Sequence, residues 1–149
     1  MSLYSAMAVA NFIVDKCYVD KKPVSNLQLQ KILYFTWVDY YKQTKHTLFW
    51  DNICAWPFGP VVPEVYYEYC AYGGRPINIR CESEISQEDT EILNNIINRY
   101  VGVPVNVLVN RTHEKGTAWD TIYQDGVGNR QVIPFELIKQ KECGGTYVS

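Results

Sequence analysis

A chain of 149 residues that is 47% hydrophobic and 20% charged has the composition of a globular protein, not of a disordered one. Its net charge of −2 gives no general nucleic-acid footprint, and no apolar run approaches the roughly 18 residues that span a bilayer. Five cysteines and two histidines form no CxxC pair and no ligand spacing, so no disulfide framework, metal or cofactor is expected.

Residues 3–18 carry Leu3, Met7, Ala10, Val14 and Cys17 at helical spacing and lack a basic leader. They predict a first core helix rather than a secretion signal. Asp20 to Pro23 ends it. Ser25-Asn26-Leu27-Gln28 then reads as a capping box, with Val24 and Leu29 placed to staple across it. A helix of about five turns follows. Leu29, Leu33, Trp37 and Tyr40 mark one face, and Ile32, Phe35 and Val38 widen it, so this helix should lie centrally. Lys42, Lys45 and His46 suit its negative end, which makes His46 a surface residue.

Leu48 to Trp50 and Ile53 to Trp56 flank Asp51-Asn52 and predict a short β-hairpin near residues 48–56. Val62 to Tyr72 predicts a helix stopped by Gly73-Gly74. Val62, Val65, Tyr66 and Tyr69 would face inward, and Glu64, Tyr67 and Glu68 outward. The cluster Glu82, Glu84, Glu88, Asp89 and Glu91 gives residues 51–100 eight acids against three arginines. It reads as the solvated start of a helix that Ser86 caps and that continues through Ile92, Leu93, Ile96 and Ile97 to Tyr100. Pro104 opens a shorter helix ending near Arg111-Thr112-His113. Ala118–Tyr123 is a further helical piece, Pro134 opens a last helix, and 144–149 is expected to be a frayed, flexible tail. The fold class is mainly α: a single-domain helical bundle over 1–143, of five to seven helices. Reduced cysteines suit a cytoplasmic protein.

Residues 55–66, AWPFGPVVPEVY, concentrate apolar surface where turns are usually polar. Three prolines remove backbone donors and push Trp56, Gly59 and Val62 toward extended geometry. No regular ladder is expected inside this stretch, but rigidity is. Pro63 suits the first position of the next helix, and Val62 then caps it without a side-chain oxygen, so its first donors need another partner.

The helix Leu29-Gln30-Lys31-Ile32-Leu33-Tyr34-Phe35, the element Thr47-Leu48-Phe49, the run Ala55 to Tyr66 and the later Thr112-His113-Glu114 with Trp119 together resemble the Panacea domain family of GepA-like phage-associated proteins and SocA-like antitoxins. Matches extend from about residue 5 to 140. Ala118 stands where the family commonly has proline, and Phe58 where many members have tyrosine. The resemblance implies antitoxin activity by direct contact with a cognate toxin and, in the SocA-like branch, delivery of the toxin to a protease complex. Whether the setting is phage-associated or chromosomal is left open, and hydropathy and net charge argue against a membrane or nucleic-acid partner. The oligomeric state is left open. Some members carry an added N-terminal DNA-binding domain, for which this chain has no room.

The residues expected to meet a partner are Trp56, Phe58, Gly59, Pro60, Glu64, Tyr67, His113 and Trp119. The competing enzyme reading is a small hydrolase using His113 and Glu114, with Cys54 or Ser86 as nucleophile. Against it, adjacent residues on a helix end point apart, Ser86 is needed as a cap, and His113 can serve the structure. His113 would bond a carbonyl of the proline corner or cap a helix end, with Trp119 beside it. A nucleic-acid-binding accessory role would use Lys16, Lys21, Lys22, Lys42 and Lys45 with the twelve tyrosines. Tyrosine enrichment together with near-neutral charge instead favours a protein-binding module that performs no chemistry.

Overall fold

A computed structural model describes residues 4–144. The expected tail, apart from Gly144, and Leu3 of the first stripe lie outside the described residues. Ser5 opens α1 (Ala6–Val19) by accepting from the Ala8 N–H. Its buried face is Ala6, Val9, Ala10, Ile13, Val14 and Cys17, with Met7 partly buried at the edge. The helix ends where Asp20 and the left-handed Lys21 turn the chain.

Both halves of the capping box form at the start of α2 (Asn26–Thr44): Ser25 Oγ accepts from the Gln28 N–H, and Gln28 Oε1 accepts from the Ser25 N–H. Val24 and Leu29 are both buried beside it. Helix α2 is central, packing against α1, the hairpin and the helices over residues 63–69, 87–101, 105–113 and 135–142. Leu29, Ile32, Leu33, Trp37, Val38 and Tyr40 are buried along it. The Trp37 indole N–H donates to the Phe49 carbonyl at 3.0 Å, so a large apolar side chain is buried without stranding its donor.

A two-stranded antiparallel hairpin is present, but its turn lies later than 48–56. Strands β1 (Cys54–Trp56) and β2 (Gly59–Val61) pair Cys54 with Val61, Ala55 with Pro60 and Trp56 with Gly59, so the turn is Pro57-Phe58. Two relationships moved it. Asp51 does not turn the chain back; its carboxylate accepts from the Ala6 N–H at 2.9 Å, and Leu48 accepts from Tyr4 N–H at 3.1 Å. The proline run also tolerates a ladder after all, because Pro60 occupies a pair whose backbone groups face away from the partner strand. The N–H of Ala55, opposite it, donates instead to Gln131, and the Ala55 carbonyl accepts from Arg130. At such a position a proline forfeits no ladder bond.

Helix α3 (Pro63–Tyr69) has Pro63 in its first turn and runs into a tight turn over Cys70–Tyr72, closed by Gly73. Ser86 accepts from the Asp89 N–H at the start of α4 (Gln87–Val101), which buries Leu93, Ile96, Ile97 and Tyr100. Then come α5 (Val105–His113) after Pro104, α6 (Ala118–Tyr123) capped by Thr117, and α7 (Phe135–Glu142) after Pro134. The described residues are thus mainly α with one short hairpin, and none of their helices is long and apolar enough to cross a membrane.

Candidate functional site

At the hairpin tip, Phe58 is 64% exposed, and Tyr67 on the outer face of α3 is 58% exposed. Beside Tyr67 lies Trp56, half-buried, with its ring 5.1 Å from that of Tyr66 and 6.0 Å from that of Tyr67. The Arg130 guanidinium stands over the Trp56 ring at 4.3 Å, a cation–π contact that holds the indole flat. Glu64 is exposed in the first turn of α3, where its carboxylate suits the helix dipole. Aromatic surface, one carboxylate and one guanidinium are therefore presented together on the hairpin and the helix it leads into.

Polar groups buried in α2 hold this face from behind. Gln30 Oε1 accepts from the Val62 N–H at 3.0 Å, Gln30 Nε2 donates to Asn26 Oδ1 at 3.1 Å, and Asn26 Nδ2 donates to the Tyr66 carbonyl at 3.0 Å. The cap residue that has no side-chain oxygen thus finds its partner on another helix. At the next residue of α2, the fully enclosed Lys31 donates from Nζ to the Pro60 carbonyl at 2.6 Å. Gly59, at φ +113°, packs on the same spot. A β-carbon there would stand 2.7 Å from Thr112 Oγ1 and 3.0 Å from Lys31 Nζ, so only glycine allows both the backbone angle and the approach.

The third support comes from α5 and α6. The rings of His113 and Trp119 stack at 3.9 Å and 8°, and Trp119 stacks on Tyr123 at 4.5 Å and 16°. The Trp119 indole N–H donates to the Trp56 carbonyl at 2.8 Å. The proline corner therefore receives the indole donor, whereas His113 Nε2 is buried with no hydrogen-bond partner. Burial first, and then the Lys31 charge, hold the His113 imidazole below its ordinary range. At Ala118, where the family pattern has proline, the backbone N–H donates to Glu142 Oε2 at 2.9 Å and ties the start of α6 to the end of α7.

Of the eight residues expected to meet a partner, Phe58, Glu64, Tyr67 and the half-buried Trp56 reach the surface, with Trp56 against Tyr67. Gly59, Pro60 and Trp119 are buried and His113 is half-buried, and these four build the support behind it. His113 and Glu114 do not converge: the imidazole lies under Trp119, while Glu114 is exposed at the helix end. Ser86 Oγ serves the cap of α4 and contacts Tyr4. Burial raises the Cys54 thiol above its ordinary value, against the small opposing effect of Arg130, which is the wrong direction for a thiolate nucleophile.

Sequence inspection passed over Lys31, Gln30 and Asn26 because polar side chains on a helix are ordinarily solvated. A signal was present. Lys31 has Leu27, Tyr34, Phe35 and Val38 at helical spacings, which puts a charged residue inside an apolar stripe. Arg130 carried no such signal, because its partner Trp56 is 74 residues away in the chain.

Residues 29–120 match the family model described as Antitoxin SocA-like, Panacea domain. The chain is 32% identical over 130 residues to Antitoxin SocA of Caulobacter vibrioides (strain NA1000 / CB15N), over 78% of this chain and 69% of that protein. No solved structure matches it. The matched residues take in α2 from Leu29 onward, the hairpin, α3, His113 and Trp119.

Proposed function

Since this chain belongs to the antitoxin SocA-like, Panacea domain family, we propose that it neutralises a protein toxin by direct contact through the face of Trp56, Phe58, Glu64 and Tyr67. The family supports an antitoxin-type role with a protein partner and a non-enzymatic mode of action. What carries the choice of face is the pairing of exposed Phe58 and Tyr67 with a backbone fixed from behind by Lys31, Gln30 and Trp119. Aromatic side chains supply large contact area with few rotamers to freeze, and a stiff backbone lowers the ordering cost of binding. In this reading Gly59, Pro60, His113 and Trp119 act by holding the face in place.

The test is neutralisation of the cognate toxin, identified from the neighbouring reading frame, by purified wild-type, Phe58→Ala, Tyr67→Ala and Glu64→Arg proteins. All three variants should melt within a few degrees of wild type, since their side chains are exposed, and each should bind the toxin at least tenfold more weakly. Full neutralisation by Phe58→Ala together with Tyr67→Ala would move the docking face elsewhere. Neutralisation with the two purified proteins alone supports occlusion. Loss of toxin only when a cellular protease is added supports escort to proteolysis.

A further inference from the structure

Lys31 is an amine-bearing side chain with no access to solvent. Protonated, it has three hydrogens to place, and Nζ donates to the Pro60 carbonyl at 2.6 Å. The groups facing it are Gly59 and Pro60 on β2, and Thr112 and His113 on α5. The Thr112 hydroxyl donates to the Val109 carbonyl at 2.7 Å. His113 is the titratable group among them. Its imidazole is a second potential cation, and its buried Nε2 has no hydrogen-bond partner.

Buried lysines are normally paired with a carboxylate, which makes the charge bearable. Here burial acts on Lys31 with no carboxylate to offset it, and it brings the amine from its ordinary 10.5 down to about 7. A charge in this place is relieved either by giving its proton to solvent or by gaining water. The element standing over it is the hairpin, three residues per strand, turned through exposed Pro57 and Phe58.

We propose that the hairpin is a proton-operated flap, closed over Lys31 while the amine is neutral and released when Lys31 takes up a proton from solvent. On release the Pro60 carbonyl leaves Nζ and water replaces it around the ammonium, and the hairpin's other ties part with it: Ala55 from Arg130 and Gln131, the Val62 N–H from Gln30 and the Trp119 indole from the Trp56 carbonyl. Burial, and the Lys31 charge once the amine is protonated, both disfavour a charge on His113. The flap itself rests on the enclosure of Lys31. Only its consequence for toxin binding, through the Trp56 and Phe58 it carries, rests on the docking face proposed above.

Linkage fixes the sign. The closed state holds an amine that protonates near 7 and the open state one that protonates near 10.5, so opening becomes easier as pH falls between those values and levels off below about 7. From pH 9 to pH 7 the opening equilibrium should rise roughly fiftyfold. The measurement is amide hydrogen exchange on the intact chain by NMR, expressed as protection factors. The Ala55 and Val62 amides and the Trp119 indole N–H should lose about fiftyfold in protection over that interval. At every pH they should remain less protected than the Leu33 and Ile97 amides. In Lys31→Met the hairpin protection should no longer depend on pH.

Hairpin protection independent of pH in the wild type would overturn the flap. So would hairpin protection equal to that of the core, which would mean release only by whole-domain unfolding. Should Lys31→Met fail to fold, titration of the Lys31 ε-carbon in the intact protein decides: a midpoint near 7 supports the flap, and one near 10.5 sinks it. Neither measurement involves a partner. A failed flap leaves the docking face standing, and a Tyr67→Ala protein that binds toxin normally counts only against that face.

Discussion

The indole N–H of Trp119 and the main-chain carbonyl of Trp56 meet at 2.8 Å across 63 positions of sequence. Through this bond the stack of His113, Trp119 and Tyr123 reaches the turn end of the hairpin. Substituting Trp119→Phe keeps an aromatic ring in the stack and removes only the donor together with some contact area. The domain should lose about 0.5–1.5 kcal/mol, the worth of one hydrogen bond at a half-buried site, and urea denaturation measures it. An unchanged midpoint would show that the corner does not depend on this bond.

Glycine is required at residue 59 for space as well as for backbone angle. Gly59→Ala must accommodate a β-carbon 2.7 Å from Thr112 Oγ1 at φ +113°, whereas Gly73→Ala at φ +57° meets nothing within 4 Å. The Gly73 substitution should cost about 1–3 kcal/mol for its backbone angles alone, at φ +57° and ψ −129°. The Gly59 substitution should cost more, because overpacking is added to strain. Thermal denaturation of the two variants side by side tests the difference, and equal losses would contradict the packing described at Gly59.

Glu142 and the Ala118 N–H form a tie between α7 and α6. Replacing Glu142 by Ala should destabilise the domain by about 1–2 kcal/mol. Ala118→Pro installs a residue that suits the first position of a helix but has no N–H to give. In the wild-type background it should be destabilising, and in the Glu142→Ala background nearly neutral. A double-mutant cycle by chemical denaturation reads this coupling; strict additivity would remove the bond from the account.

Gln30 holds the start of α3 through the Val62 N–H. In Gln30→Leu the volume is nearly kept, while a buried backbone donor and the Asn26 amide oxygen lose their partner. A loss of about 1–3 kcal/mol is expected. Hydrogen exchange at Val62 should accelerate more than at Leu33, and unchanged exchange at Val62 would mean its donor is satisfied in another way.

Whole-domain stability should peak on the alkaline side of neutrality. The folded-state value of Lys31 lies near 7 against 10.5 in the unfolded chain. Its penalty is therefore full below about 7 and is relieved as pH rises toward 10.5, adding on the order of 2 kcal/mol between pH 7 and 9. Acidic groups set the upper limit. Burial raises the Cys17 and Cys143 thiols to about 11 from an ordinary 9, so the unfolded chain ionises first and stability falls above about pH 9. Tyr40, Tyr69 and Tyr100, raised mainly by burial, add to that fall above pH 10. Urea midpoints from pH 6 to 11 should rise and then drop; a maximum at or below pH 7 would contradict a neutral Lys31 in the native state.

Sequence by itself determined what neighbouring residues decide. Ser25 with Gln28, Ser86 with Asp89, and Pro63, Pro104 and Pro134 marked helix starts, because capping bonds and fixed proline angles act within about four positions. The 3.6-residue period of Leu29, Leu33, Trp37 and Tyr40 marked α2 as central, and the alternation of Tyr69 inside with Tyr67 outside was legible along α3. Tertiary structure alone decided the rest. The hairpin moved to 54–61 because Asp51 was taken by the Ala6 N–H and because Pro60 fell on a pair that needs no donor. Lys31 became an interior tie because a carbonyl 29 positions away came to stand over it, and Trp119, not His113, took the corner carbonyl. Such pairings depend on which backbone groups are left unsatisfied once helices pack, and that is a property of their arrangement in space rather than of any local stretch of chain.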